Sequence, residues 1–312
     1  MTKRLAIYLA VTFGLSWGIW IPLGFAFEIF TYGENSAPLI IAATSIVMFF
    51  PLVGAVVAEL ACMGTLAPGQ SRWRELANRL AFYPRISGNI PNYLLAWFVP
   101  AGLALLGCVV YFLAFPHEFD ASMGYILDLA AQTGGSAQEL PLPPAVLVGV
   151  TLFQALTWAP FFNMFFAFGE EAGWRGLLFP ELCTRMSQRG AAVVSGIIWG
   201  LWHAPIIAMG HNYGMDYAGF PVLGIVVMTL ACTAYGVWLA WLRLRSQSVW
   251  PCALNHGAFN AIAGAGLYFS ATGPNVFGPS PLGLVAGIPL FALGAICWLK
   301  LSSARSSVRP LG

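Results

Sequence analysis

The stretch LAIYLAVTFGLSWGIWIPLGFAF, residues 5–27, carries no charged side chain and is long enough to cross the ~30 Å hydrocarbon layer of a bilayer as one helix. Lys3-Arg4 precede it, as in a leader peptide, but no clear cleavage site follows. It therefore reads as a first membrane span rather than a segment to be removed. Similar runs recur, giving approximate spans at 5–28, 37–61, 92–115, 145–168, 191–209, 219–242, 251–270 and 282–300. They read as helices, because a helix satisfies its own backbone hydrogen bonds in lipid. A membrane barrel would instead alternate polar and apolar residues, and that alternation is missing. Of 312 residues 59% are hydrophobic and 8% charged. A soluble domain carries about 25% charged residues, so lipid and not water is the solvent for this surface. The expected fold is all-α: a polytopic transmembrane bundle of about eight spans, without a nucleic-acid partner.

The basic residues orient it. All 14 Lys and Arg fall in alternate segments: Lys3 and Arg4; Arg72, Arg74, Arg79 and Arg85; Arg175, Arg185 and Arg189; Arg243 and Arg245; Lys300, Arg305 and Arg309. The intervening connections have none, and the long 116–144 loop holds Glu118, Asp120, Asp128 and Glu139 instead. Eight spans make the separation complete and place both ends of the chain in the cytoplasm. The basic segment 63–91 has a short amphipathic pattern suited to the headgroup surface. Gly14-x-x-x-Gly18 and Gly196-x-x-x-Gly200 allow close helix packing. Six cysteines form no C-x-x-C pair and read as small apolar packing residues. With no repeat or linker, residues 1–312 read as one integral membrane domain.

Ionisable groups at membrane depth are costly and mark function by default. Three places have them: Glu170-Glu171-Ala172-Gly173-Trp174-Arg175, Trp199-Gly200-Leu201-Trp202-His203, and Asn255-His256-Gly257-Ala258-Phe259-Asn260. Glu171 and Arg175 are four apart, as are His256 and Asn260, so each pair shares one face of a helix. Trp199 stands one turn before His203 as a bulky wall. Singly, these motifs have plainer readings: a charge cluster at a helix end, a hydrogen-bonded histidine, a polar clamp worth ~1 kcal/mol between helices. Two adjacent carboxylates are harder to explain that way, since like charges raise each other's cost. The apolar run from Ala145 to Phe179 is too long for one straight span, and Pro160 is the expected kink. The span boundaries leave a mismatch: His203 falls ~18 Å from the cytoplasmic end of its helix, His256 ~8 Å. His117 and His211 fall in outside loops and read as surface residues.

In order and spacing, the three motifs resemble the CPBP intramembrane proteases, which include type II CAAX prenyl endopeptidases and bacteriocin-processing or immunity (Abi) proteins. The family pattern is E-E-x-x-x-R, an aromatic followed by x-x-x-H, then H-x-x-x-N or H-x-x-x-D. Residues 170–175, 199–203 and 256–260 match it, with Trp199 where Phe is common. The resemblance covers about 150–265.

It implies a peptide hydrolase in which Glu170 is the general base for water. His203 would help hold that water, and His256 and Asn260 would stabilise the oxyanion. Glu171 and Arg175 would support them. The family has been described both as metal-dependent and as glutamate-dependent. A zinc ion would take Glu170, His203 and His256 with water as a fourth ligand, although no H-E-x-x-H occurs. The implied partners are the lipid bilayer and a peptide or protein substrate at the membrane, prenylated in the CAAX members. Substrates would enter from the cytoplasmic side or from lipid, and a bacterial inner membrane is the expected location. Two other classes remain open: an ion-coupled transporter using the same buried residues, and a non-catalytic immunity or scaffold protein of this fold.

Overall fold

A computed structural model describes residues 2–26, 37–67, 69–132 and 143–305. Residues 27–28 at the end of the first expected span, Glu139 and Arg309 lie outside the described residues. Along the chain run α1 (Lys3–Ala26), α2 (Ala37–Val47), α3 (Phe50–Cys62), α4 (Arg72–Arg79), α5 (Ile90–Ala114), α6 (Gly124–Gln132), α7 (Pro144–Leu156), α8 (Ala159–Gly173), α9 (Phe179–Cys183), α10 (Gln188–Trp202), α11 (Ala204–Ile207), α12 (Val222–Ser246), α13 (Trp250–Ile262) and α14 (Ile288–Lys300).

All eight expected stretches contain helix, but they are not eight equal spans. Among the described residues four helical stretches are long and apolar enough to cross a membrane singly: Lys3–Ala26, Ala42–Cys62, Ile90–Ala114 and Val222–Ser246. Two more helices, Ala145–Leu156 and Ala159–Cys183, pass that test only together and meet at a 57° bend. The bend falls where Pro160 was expected to kink the run: Pro160 sits in the first turn of α8, where its missing N–H costs no helical hydrogen bond. Helices α10, α13 and α14 have 15, 13 and 13 residues, short of the ~20 that a full crossing takes. Large apolar side chains such as Leu105, Leu113, Phe153 and Phe165 are exposed on the outer surface, as expected of a multi-pass membrane bundle, whose outer surface faces lipid.

Helix α13 packs against α8 and α5, and α10 against α12. Both contacts depend on missing side chains. A Cβ at Gly257 of α13 would stand 2.5 Å from the Pro160 carbonyl oxygen and 2.5 Å from the Met164 nitrogen of α8. Gly196 and Gly200 lie equally close to the α12 backbone at Thr233 and Thr229. A Cβ at Gly14 or Gly18, the other small-residue pair, would meet nothing within 4 Å among the described residues, so they do not serve the packing expected of them there. Gly257→Ala should therefore destabilise the protein by about 1–3 kcal/mol through overpacking, whereas Gly14→Ala should be nearly neutral. Thermal unfolding of both variants in one detergent checks the contrast.

The two ends of the bundle differ in charge as the sequence implied. At one end Arg4 bridges Glu59 (3.2 Å) and Glu181 (2.9 Å), and Arg79 reaches Glu59 at 3.4 Å and Glu75 at 2.6 Å. Arg189 donates to the Leu299 and Leu301 carbonyls at the end of α14, so both described ends of the chain meet there. The amphipathic segment forms α4, capped by the Ser71 hydroxyl, with Leu76 buried and Trp73 exposed. At the other end, segments 116–125, 208–221 and 265–287 tie together. Thr272 donates to Glu118 at 2.7 Å, Asn275 to the Tyr111 hydroxyl at 2.9 Å, and Tyr213 to the Leu282 carbonyl at 3.0 Å. Two basic residues depart from the expected charge pattern. Arg175 and Arg243 are 1% and 0% exposed: they are interior groups, not loop charges, and the remaining Lys and Arg carry the orientation argument.

Candidate active site

Helix α8 delivers the acidic pair. Every residue from Gly169 to Cys183 is buried. After Gly173 the helix widens for one turn, Trp174–Leu178, in which the Phe179 N–H reaches the Trp174 carbonyl five residues back. Pro180 accounts for the local change: it has no N–H to donate toward Gly176, and its ring crowds that carbonyl. Such single-turn widenings recur at functional sites.

Around this turn the carboxylates separate in role. The Oε2 atom of Glu170 accepts the indole N–H of Trp199 at 2.8 Å and that of Trp174 at 3.3 Å. The Oε1 atom of Glu171 accepts from Arg175 at 2.9 Å and from His256 Nδ1 at 3.0 Å, while its Oε2 is buried without a partner among the described residues. The Arg175 guanidinium also lies 4.3 Å above the Trp199 ring, a favourable cation–π position. Glu171 is thus the joint between an arginine of its own chain segment and a histidine of α13.

Helix α10 ends at Trp202, and His203 follows at the break before α11. Helix α1 pins that break: the Trp202 indole donates to Ser16 Oγ at 2.8 Å, and the Trp17 indole donates to the Trp202 carbonyl at 3.0 Å. His203 Nδ1 lies 2.9 Å from the Trp199 carbonyl. A carbonyl only accepts, so Nδ1 carries the proton and Nε2 keeps its lone pair. The same reasoning protonates Nδ1 of His256 against the Glu171 carboxylate. An oxyanion contact from His256 Nε2 then takes a second proton, with its positive charge held against Glu171.

The depth mismatch between the two histidines disappears because α13 starts deep in the bundle. Asn255 accepts from Tyr235 (2.9 Å) and Trp238 (3.1 Å) of α12, and His203 Nδ1 lies 4.0 Å from Cys232 of the same helix, about one turn along. The Trp199 ring centroid is 5.4 Å from that of His256 and 6.0 Å from that of His203.

One cavity of about 860 Å³ is lined by Glu170, His203, His256 and Asn260 together. Glu171 and Arg175 lie behind it and do not line it. Sequence reasoning treated Trp199 as a wall; it is a hydrogen-bond donor to the acid. The signal was present, since an indole N–H one turn before a buried histidine on a facing helix needs a partner at that depth. Asn255, adjacent to His256, was given no role and is a structural clamp that also donates to the Ala96 carbonyl at 3.0 Å. His211 was read as a surface residue but lines the cavity. Burial pulls its imidazole down to about 4, so it is neutral near pH 7. His117 is exposed as expected, beside Glu118.

The residues do not fit a zinc set. Among the described residues, no three His, Cys, Asp or Glu side chains are placed to hold a metal ion.

Trp199→Phe keeps the ring under Arg175 and removes the N–H. Hydrogen bonds to charged groups contribute about 1.5–3 kcal/mol to stability, so the variant should be destabilised by about that amount. Unfolding of parent and variant in one detergent checks this.

Comparison with known proteins agrees with the geometry. Residues 140–262, which contain all six motif side chains, match the family described as type II CAAX prenyl endopeptidase Rce1-like. The chain is also 31% identical over 78 residues to CAAX prenyl protease 2 of Methanococcus maripaludis. That alignment takes in 25% of this chain and spans 29% of the length of the relative. Over residues 140–262 the chain resembles the CPBP family.

Proposed function

We propose that this multi-pass membrane protein is an intramembrane endopeptidase that hydrolyses a peptide bond of a membrane-associated or CAAX-like polypeptide, with Glu170 as general base. The observation that carries the reading is the single cavity receiving Glu170 from α8, His203 from the end of α10, and His256 and Asn260 from α13. Glu170 takes a proton from water as the oxygen attacks the carbonyl carbon, and that proton then passes to the departing amine nitrogen. The Nε2 lone pair of His203 orients the water. The Asn260 amide and doubly protonated His256 donate to the oxyanion, where preorganised donors in a water-poor site have their largest effect. Glu171 and Arg175 are positioning residues: they hold the His256 ring and touch no reacting atom. The chain resides, on this reading, in a bacterial inner membrane.

The scheme is written without zinc, since among the described residues no three candidate ligands are grouped to hold a metal ion. Chelator treatment of purified protein should leave cleavage unchanged, and zinc should not raise it. A loss on chelation that zinc restores would replace this scheme with a metal-dependent one. The function itself is tested by comparing protein termini in membranes carrying the parent or Glu170→Gln. Termini produced only by the parent are expected, and their absence removes the proteolytic reading.

A further inference from the structure

His211 is an imidazole at the cavity wall that the proposed reaction leaves unused. A chain reversal written in the sequence brings it there. Helix α11 is one turn long and begins directly after His203. Gly210 follows it in the left-handed region, at φ 87°, where a glycine pays no steric penalty. The Gly210 N–H donates to the Ile207 carbonyl at 2.9 Å and the His211 N–H to the Ile206 carbonyl at 3.1 Å. This glycine-closed pair of backbone hydrogen bonds turns a helix end back on itself, and it returns His211 to the cavity that His203 also lines. The next two residues fix the loop. Asn212 Nδ2 lies 3.7 Å from Met228 Sδ of α12, and Tyr213 donates to the Leu282 carbonyl at 3.0 Å. The ring is thus held through its backbone and not through its own nitrogens. It is half-buried, and among the described residues no hydrogen bond, ion pair or ring contact engages it.

We propose that His211 is a substrate-binding residue, whose imidazole hydrogen-bonds the polypeptide backbone of the substrate beside the bond that is cut. The inference rests on the proteolytic reading above. A neutral imidazole carries one donor and one acceptor, and a peptide backbone offers the complement, a carbonyl oxygen and an N–H. On that reading Glu170, His203, His256 and Asn260 are occupied with the water and the carbonyl under attack, so none of them holds the flanking backbone. An unpaired ring nitrogen at the wall costs little while water fills the cavity. Once a substrate displaces that water, the nitrogen is left unsatisfied unless the bound chain pairs with it. Proton donation to the departing amine is the other task open to a histidine here, and its protonation state argues against that. Burial holds the ring near 4, so roughly one ring in a thousand carries a second proton at pH 7.

The probe is a quenched fluorescent peptide built around a bond that the parent cuts in membranes and Glu170→Gln does not. Full-length parent, His211→Ala, His211→Gln and His211→Asn are assayed on it in one detergent for kcat and KM, beside their unfolding midpoints. His211→Ala should raise KM by about 5- to 50-fold with kcat within about twofold, the signature of binding lost equally from ground and transition states. The glutamine amide nitrogen falls near Nε2 of the ring and the asparagine amide nitrogen near Nδ1, so one of the two should recover most of the affinity. Unchanged KM in His211→Ala overturns the proposal and leaves proteolysis standing. A fall in kcat at parental KM also overturns it, because the ring would then act on the reacting atoms. A raised KM that neither amide recovers, or a midpoint lowered in all three variants, makes the ring a packing group and overturns it as well. A peptide cut no faster by the parent than by Glu170→Gln removes the protease and this inference together.

Discussion

Glu170→Gln should lower cleavage by about 10²- to 10⁴-fold, the range by which a positioned general base accelerates proton transfer, while the protein remains folded and inserted. The substitution is close to isosteric. The glutamine Oε1 can turn toward Trp199 and Trp174 and accept the same indole protons that Glu170 Oε2 accepts at 2.8 and 3.3 Å. What is lost is the ability to take a proton from water. Unfolding midpoint and detergent elution profile should match the parent, so that the defect is assigned to chemistry. A Glu170→Gln protein that cleaves at the parental rate would show that the base is another group.

The second large effect is expected at Glu171. Its Oε1 pairs with Arg175 and with His256, and Glu171 and Arg175 are 0% and 1% exposed. Removing one partner leaves a buried guanidinium uncompensated, a cost of about 3–5 kcal/mol. Glu171→Leu should therefore destabilise by that amount, and Arg175→Met combined with Glu171→Leu should recover most of it, because replacing both members of a buried pair with apolar groups is often close to neutral. Activity should stay lost in the double variant, since the acceptor that fixes His256 Nδ1 is gone. A double-mutant cycle on unfolding free energies measures the coupling. Additive losses would show that the two side chains do not depend on each other. Glu171→Gln is the milder check on positioning: it should lower kcat more than it changes KM.

Much of this was legible in residue types and spacing. Fifteen consecutive buried residues from Gly169 to Cys183 hold an acidic pair whose cost in lipid marked it from the start, and the i, i+4 relation brought Arg175 to Glu171. What spacing does not report is depth. Helix α13 begins well inside the bundle, held by Cys252 and Asn255 against α12, so counting residues from a span boundary misplaced His256 relative to His203. For the same reason Arg175 and Arg243 passed as loop charges: a basic residue in the last turns of an apolar run looks the same whether it snorkels or turns inward. Gly14 and Gly18 had the same pattern as Gly196 and Gly200, but small size permits a close approach without requiring one. His211 was hidden by its loop, since loop position in sequence does not reveal that the segment folds back over a cavity.

The closed packing beneath Glu170 also bears on the membrane as an electrical barrier. Packing of this kind leaves the insulating layer intact during a turnover. A carrier built on the same residues would have to open that floor once per cycle, dismantling the Arg4–Glu181 and Glu171–Arg175 contacts. A hydrolase needs no such alternation.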